Sequence, residues 1–152
     1  MKKNICIVAI FSLFFSFTSC NEAKKTDTTT EPTINTAEQS TSKQKVEKLE
    51  VAEFQMKMIQ LQVYNLIDVR TPQEFTQASI LKAKNIDFNG DSFESELSKL
   101  EKEKPLFIYC KSGGRSAKAV EKAKEMGFER IIELDGGMDA WKEAKAETQH
   151  GI

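Results

Sequence analysis

Cys110 is the residue whose surroundings in the sequence are best suited to chemistry. It ends the apolar run 105–109 (PLFIY) and precedes KSGGRS, which contains Gly113 and Gly114 between Lys111 and Arg115. Adjacent glycines allow loop amides to turn inward as an anion-binding nest, and a following helix N-terminus adds partial positive charge. A free cysteine titrates near about 8.5, and such surroundings lower its pKa to roughly 3.5–7.5. The segment therefore predicts a reactive thiolate. The alternative, a core cysteine that merely ends a strand, leaves the glycines and cations unexplained.

A thiolate in an anion-binding loop is suited to carrying one extra sulfur atom. It would attack the outer sulfur of a donor such as thiosulfate, and an acceptor would then remove that sulfur in a double displacement. The six residues after Cys110 are the candidate substrate-binding residues: Lys111, Ser112, Gly113, Gly114, Arg115 and Ser116. No general base is needed once the thiol is ionised, and the single histidine, His150, lies two residues from the C-terminus.

Two other functions for such a loop stay open. A small cysteine-dependent phosphatase or arsenate reductase is one, although a phosphatase loop is one residue longer, with its arginine six positions after the cysteine. Here Arg115 comes five positions after Cys110. The other is a non-enzymatic module that binds a sulfur or small anion and passes it to a partner.

Apolar runs alternate with helical periods from about residue 46 onward. Runs at 63–69, 83–86, 105–109 and 130–134 predict strands. Helical patterns cover 51–61, 116–126 and 138–145, and further helices are predicted to begin after the N-cap Thr71 and at Asp91. This alternation predicts an α/β domain with a mainly parallel sheet and helices on both of its faces.

Four segments, taken together, resemble the rhodanese-like family of sulfurtransferases. In chain order they are LIDVR with TPQEF (66–75), KNIDF (84–88), IYCKSGGRS (108–116) and LDGGMDAW (134–141). The resemblance implies a three-layer fold with a five-stranded sheet. It also implies that Cys110 carries the persulfide, that Arg115 closes the loop, and that Asp68 and Arg70 support the loop without reacting. A plain surface ion pair is the alternative for the last two residues.

The chain departs from the family pattern at a few positions. Lys111 stands where arginine is common, and it keeps the charge but not the planar fork that matches a sulfonate. Ala78-Ser79-Ile80 replaces the usual Gly-His-Ile. We expect these changes to affect donor preference more than activity.

The N-terminus has the pattern of an export signal. Lys2 and Lys3 precede an apolar run at residues 5–17, and the FTSC segment ending at Cys20 resembles the bacterial lipobox. We expect cleavage before Cys20, lipidation of that cysteine, and a protein held by the lipid in the bacterial envelope, facing the periplasm. Ordinary cleavage and an uncut membrane anchor are the alternatives.

These patterns divide the 152 residues into four parts. A signal peptide (1–19) precedes the lipidated cysteine and a polar tether (20–45), which lacks the apolar residues needed to fold. A rhodanese-like domain (46–147) and a short tail (148–152) follow. The net charge of −1 argues against a nucleic-acid partner, and no motif indicates a metal or other cofactor.

Overall fold

The computed structural model describes residues 44–150. In this part of the chain, strands and helices alternate along the whole length. The elements are β1 (Lys45–Leu49), α1 (Val51–Leu61), β2 (Asn65–Asp68), α2 (Pro72–Gln77), β3 (Lys84–Asn85), α3 (Phe93–Leu97), β4 (Leu106–Tyr109), α4 (Gly114–Glu125), β5 (Arg130–Leu134) and α5 (Gly137–Glu143).

The five strands form one sheet in the order β1-β5-β4-β2-β3. All four strand pairs are parallel, so the sheet is fully parallel where the sequence predicted a mainly parallel one. β4 lies at the centre and pairs through Leu106 with Asn65 on one side and with Ile131 on the other. The segment after β4 therefore leaves the middle of the sheet at the carboxyl edge, where open α/β sheets bind ligands.

Helices cover both faces of the sheet, which confirms the predicted fold class. On one face, α3 and α4 bury side chains such as Leu97 and Val120 against alternate strand residues. On the other face, α1 and α5 bury Phe54 and Trp141, whose rings meet edge to face with centroids 6.3 Å apart. A parallel sheet buried on both faces explains why its central strands are continuous apolar runs.

The start of α2 agrees with the prediction in detail. Thr71 is the N-cap, and its hydroxyl accepts a hydrogen bond from the Glu74 amide at 3.3 Å. The Glu74 carboxylate in turn accepts one from the Thr71 amide at 3.2 Å. This capping box satisfies the first amides of the helix with side chains of the helix itself.

Several elements differ from the sequence expectations by one or two residues; α3, for example, begins at Phe93 and not at Asp91. β1 was not predicted, because KVEKL has no apolar run and forms an edge strand that depends on pairing with β5. α4 begins at Gly114, two residues before the predicted start at Ser116. The earlier start brings the helix N-terminus closer to Cys110. α4 ends at Glu125, one residue before the predicted end; Met126 is its C-cap, and Gly127 follows with φ +85°.

The predicted signal peptide and Cys20 lie outside the described residues, as does the predicted tether apart from Gln44 and Lys45. At the other end, Gln149 pairs with Ser79 in an isolated antiparallel bridge. Among residues 44–150, no helix combines the length and the apolar character needed to span a bilayer.

Candidate active site

Cys110 lies immediately beyond the central strand, with only 1% of its surface exposed. Its Sγ accepts a hydrogen bond from the Gly113 amide at 3.2 Å. Gly113 has φ +104°, a conformation that L side chains rarely adopt, and this value allows the chain to fold back over the sulfur. We call the segment Cys110–Ser116 the Cys110 loop.

The Cys110 loop acidifies its own thiol. Burial raises the pKa of Cys110. This effect is outweighed by hydrogen bonds from the side chain and amide of Ser116 and from the amides of Gly113 and Ser112, so the pKa lies below its ordinary value. Gly113 is also the N-cap of α4 and supplies no side-chain cap, so the first amides of that helix are available to the sulfur. The geometry of the Cys110 loop therefore favours the thiolate form of Cys110 that the sequence predicted.

Ser116 connects the loop to a buried carboxylate that the sequence analysis missed. Its Oγ lies 3.0 Å from the Gly113 carbonyl oxygen and 2.6 Å from Oε1 of Glu133. Ser116 is fully buried and Glu133 is 6% exposed. The available signal was a glutamate inside the apolar run RIIEL, since a charge in a strand buried on both faces needs a polar partner.

Arg115 binds a carboxylate on α2. Its two terminal nitrogens lie 2.7 and 2.8 Å from the two carboxylate oxygens of Glu74. The hydrogen bond to Arg115 is the largest cause that lowers the pKa of Glu74, from 4.5 to about 2. The glutamate that caps α2 therefore also holds the arginine expected to close the Cys110 loop, a contact across 41 residues that no local pattern shows.

An open pocket of about 370 Å³ lies over the Cys110 loop. Five of the predicted site residues line this pocket: Cys110, Lys111, Ser112, Gly114 and Arg115. Gly113 and Ser116 are buried and do not line the pocket. The pocket walls are thus formed mostly by residues that the sequence singled out.

The sequence analysis missed three residues that line the pocket: Phe88, Asn89 and Lys118. Lys118 lies one helical turn beyond Gly114 on α4, so i, i+4 spacing could have identified it. Within residues 44–150, neither Lys111 nor Lys118 forms a salt bridge, and both are exposed. Their charges therefore face the pocket without a protein counterion.

Asp68 and Arg70 form a buried ion pair at the end of the neighbouring strand β2. Their side chains are 0% and 4% exposed, which contradicts the surface-pair alternative. Arg70 Nη2 lies 2.5 Å from Asp68 Oδ2 and also donates to the Ala78 carbonyl at 2.6 Å. The Val69 amide, between the two, donates to the Tyr109 carbonyl at 2.9 Å. The pair therefore fixes the strand end beside Cys110 without lining its pocket.

The N-terminus of α5 holds the Cys110 loop from the opposite side. The Met138 amide donates to the Cys110 carbonyl at 2.8 Å, and the Asp139 amide to the Lys111 carbonyl at 2.9 Å. Gly137 directly precedes these two residues with φ +56°, and a Cβ there would lie 2.5 Å from the Cys110 carbonyl oxygen. Gly137, the first residue of α5, is thus the place where this helix approaches the loop backbone.

No group of three or more His, Cys, Asp or Glu side chains that could hold a metal ion occurs in the described stretch 44–150. The chemistry available at this pocket is that of a thiolate, backbone amides and exposed cations.

Comparisons with known proteins agree with this fold. The family model for the rhodanese-like domain matches residues 50–144. A sulfurtransferase of Allochromatium vinosum is 32% identical over 87 residues, which cover 57% of this chain and 74% of that protein. The thiosulfate sulfurtransferase GlpE of Shewanella oneidensis is 29% identical over 91 residues, covering 60% and 88%. The chain spans 59%, 45% and 19% of the lengths of three other relatives.

Among solved structures, a rhodanese-related protein from Thermoplasma volcanium aligns with a TM-score of 0.59 at 28% identity. The alignment covers 68% of this chain and 97% of that one. A rhodanese-like domain protein from Staphylococcus aureus aligns with a TM-score of 0.56 at 30% identity, covering 62% and 90%.

Proposed function

The chain belongs to the rhodanese-like domain family, and from that premise we propose that it is a sulfurtransferase that carries a sulfane sulfur on Cys110. The observations that support the proposal best are the Gly113 amide, which donates to Cys110 Sγ at 3.2 Å, and the uncapped N-terminus of α4 beside it. These donors stabilise a negative sulfur in a fixed position, which is what both the thiolate and the outer sulfur of a persulfide require.

The first half-reaction loads the cysteine. The Cys110 thiolate attacks the outer sulfur of a donor such as thiosulfate, and a new S–S bond forms while the donor S–S bond breaks. Sulfite leaves with the electron pair of the broken bond. Lys111 and Lys118, exposed at the pocket, attract the anionic donor and offset the charge that develops on the departing sulfite.

The second half-reaction unloads the cysteine. A thiophilic acceptor, either a small molecule such as cyanide or a protein thiol, attacks the outer sulfur, and Cys110 leaves as the thiolate. The Gly113 amide stabilises this leaving group, because it already donates to Cys110 Sγ at 3.2 Å in the resting site. The cycle therefore needs neither a general base nor a cofactor.

The position of Arg115 disfavours the phosphatase alternative. An arginine that clamps a phosphate donates two parallel hydrogen bonds to it, whereas both terminal nitrogens of Arg115 are bound to Glu74. Arg115 still lines the pocket, so its remaining role is to hold the wall of the pocket and add positive charge to it.

Thiocyanate formation from thiosulfate and cyanide by the purified full chain tests the proposed function. We expect turnover that Cys110→Ser abolishes without changing the thermal unfolding curve. Cys20→Ser, which also removes one thiol, is the matched control and should retain turnover. Turnover that survives in Cys110→Ser would refute the mechanism. Persulfide formation without turnover would favour the carrier module.

We further propose that the protein is exported and anchored to a bacterial envelope membrane by a lipid on Cys20. The basic start, the short apolar run and the FTSC segment support this proposal. Cys20→Ala should move the protein from the membrane to the soluble fraction. A variant that still sediments with membranes would contradict the lipid anchor.

A further inference from the structure

Four large apolar side chains of the described residues 44–150 are at least half exposed, and the proposed mechanism gives them no role. They are Met56, Ile59, Val63 and Leu81, with exposed fractions between 50% and 67%. Met56 and Ile59 are one helical turn apart on α1, and Val63 follows the end of that helix. We call these four residues the apolar ledge.

The apolar ledge borders an open groove, so its members form one surface. Ile59 and Leu81 both line this groove, whose volume is about 320 Å³, and so does Tyr64, the neighbour of Val63 in the chain. The buried Trp141 lines it from the side of the core. A cluster of exposed apolar side chains beside a groove is typical of a surface that contacts a partner or a membrane.

The apolar ledge lies at the amino edge of the sheet. α1 runs from the carboxyl end of β1 back to the amino end of β2, so Ile59 near its end and Val63 after it lie at that edge. Leu81 lies just before β3. Because all the strands are parallel, their starts share one edge of the sheet.

The N-terminal part of the chain enters the domain at the same edge. Gln44 directly precedes β1, and its side-chain amide donates to the Lys124 and Phe128 carbonyls at 2.8 and 3.1 Å, close to the start of β5. The 24 residues that follow Cys20 as far as Gln44 can span at most about 80–85 Å. A lipid on Cys20 would therefore keep the amino edge near the bilayer, where even a weak contact surface is occupied.

The polar residues beside the apolar ledge suit a lipid surface. The side chains of Gln55, Gln60 and Gln62 are neutral, and Lys82 places an exposed cation next to Leu81. Apolar side chains can enter the boundary between headgroups and acyl chains while a lysine stays at the level of the lipid phosphates. Glu147 also lines the groove, and it is exposed, so its charge can stay in water.

We propose that the apolar ledge rests on the surface of the lipid bilayer and turns the Cys110 pocket away from it. Cys110 follows the carboxyl end of β4, which is four residues or about 13 Å long, so its pocket opens at the edge opposite the ledge. A docked domain presents the pocket to water, and its sulfur donor and acceptor are then water-soluble. This inference rests on the proposed lipid anchor and is independent of sulfur transfer.

The test uses the full chain, expressed in a bacterium, isolated in detergent and placed in vesicles of phosphatidylethanolamine and phosphatidylglycerol. The mass of the N-terminal peptide reports whether Cys20 carries a lipid. In a Cys110→Ser background, cleavage before a lipidated Cys20 leaves no free thiol in the chain. A single introduced cysteine can then carry the fluorophore nitrobenzoxadiazole at a chosen position.

The fluorophore on Ile59→Cys should have a blue-shifted emission and be quenched by lipids with a spin label on the acyl chain. On Lys118→Cys, at the mouth of the Cys110 pocket, it should show neither effect. Adding Val63→Gln and Leu81→Gln should lower the ratio of docked to undocked domain at least about tenfold, because less apolar area leaves water. Ala117→Gln, at an exposed apolar position of α4, is the matched control and should leave the quenching unchanged.

Three results would overturn the proposal. Quenching at position 118 and not at 59 would mean that the pocket faces the bilayer. No quenching at either position, in a lipidated chain bound to vesicles, would mean that the domain stays in water. A blue shift at position 59 that grows with protein density but resists the labelled lipid would mean that a second copy covers the ledge.

A separate readout distinguishes failure of the lipid anchor from failure of the docking. An N-terminal peptide without lipid would refute the anchor, and the docking with it. A lipidated chain without quenching would refute the docking alone. Thermal unfolding of each variant identifies any loss of fold, which is not expected because the substituted ledge residues are exposed.

Discussion

The segments that follow the neighbouring strands β2 and β4 differ in how their polar groups are satisfied. After β2, the segment Asp68–Gln77, here called the β2 crossing, satisfies its polar groups with its own side chains. Asp68 binds Arg70, and Thr71 and Glu74 cap the helix that follows. The Cys110 loop after β4 has a glycine at the N-cap of its helix and no side-chain cap. Its Gly113 amide donates a hydrogen bond to the Cys110 sulfur.

The contrast shows how the same strand-to-helix connection becomes either support or a reactive site. A helix N-terminus whose amides are already paired has no donors left for a ligand, whereas an uncapped one presents them to any anion that arrives. The two segments are also joined, because Glu74 of the β2 crossing binds Arg115 of the Cys110 loop. The β2 crossing thus holds the Cys110 loop in place through this ion pair.

The largest expected effect comes from breaking the ion pair of the β2 crossing. Arg70→Met leaves Asp68 buried and unpaired, which should lower the free energy of unfolding by about 3–5 kcal/mol in urea titrations. Arg115→Met breaks a pair whose side chains are 23% and 28% exposed and should cost only about 1 kcal/mol. Equal losses would mean that burial does not distinguish the two pairs.

The next effect tests the backbone of the Cys110 loop. Gly113→Ala places a side chain at φ +104° and should cost about 1–2 kcal/mol. It should also raise the thiol pKa, because the amide hydrogen bond to the sulfur is disturbed.

The adjacent glycine is the matched control. A Cβ on Gly114 would meet no atom within 4 Å, and this residue is the first of α4. Gly114→Ala should leave stability unchanged or raise it by up to about 1 kcal/mol. The measurement is the pH profile of Cys110 alkylation by iodoacetamide. If both alanine variants shift this profile equally, the conformation of Gly113 is not what directs its amide at the sulfur.

The contact between the two segments predicts a pH dependence. The pKa of Glu74 is about 2 in the folded protein against an ordinary 4.5, so its stabilisation is present above about pH 4.5 and is lost as the pH falls towards 2. Glu74→Gln keeps a capping-box side chain but removes this contribution, about 1–2 kcal/mol after allowance for solvent. Unfolding free energies measured from pH 6 down to pH 3 should therefore fall less steeply in the variant. Parallel curves would contradict the assignment.

The smallest expected effect is the loss of the α2 cap. Thr71→Ala removes the hydroxyl that accepts from the Glu74 amide and should cost about 1 kcal/mol of stability. Thr71→Ser should restore most of it. The alkylation profile of Cys110 should not move in either variant, because this cap belongs to the supporting segment. A shifted profile would mean that the β2 crossing also tunes the thiol.

Local chemistry made much of this architecture predictable. The capping box at Thr71, the apolar run before Cys110 and the glycine that ends α4 are each determined by residues close together in sequence. The family resemblance of four ordered segments supplied the number of strands in the sheet. β1 escaped prediction because KVEKL becomes a strand only by pairing with β5, more than 80 residues away.

The site was less predictable wherever its contacts cross the chain. Cys110 and the loop after it could be identified because they are contiguous. The partners of Arg115 and Ser116 are Glu74 and Glu133, which only the folded sheet brings to them. A glutamate in an apolar strand indicates that a polar partner exists, but not which one.

The most direct test of the central claim is intact-mass analysis of the full chain after exposure to thiosulfate, followed by peptide mapping. The account predicts one added sulfur atom, located on Cys110, removed by cyanide and absent from Cys110→Ser. An unmodified Cys110 in a folded, reduced protein, or a sulfur located on another cysteine, would contradict it.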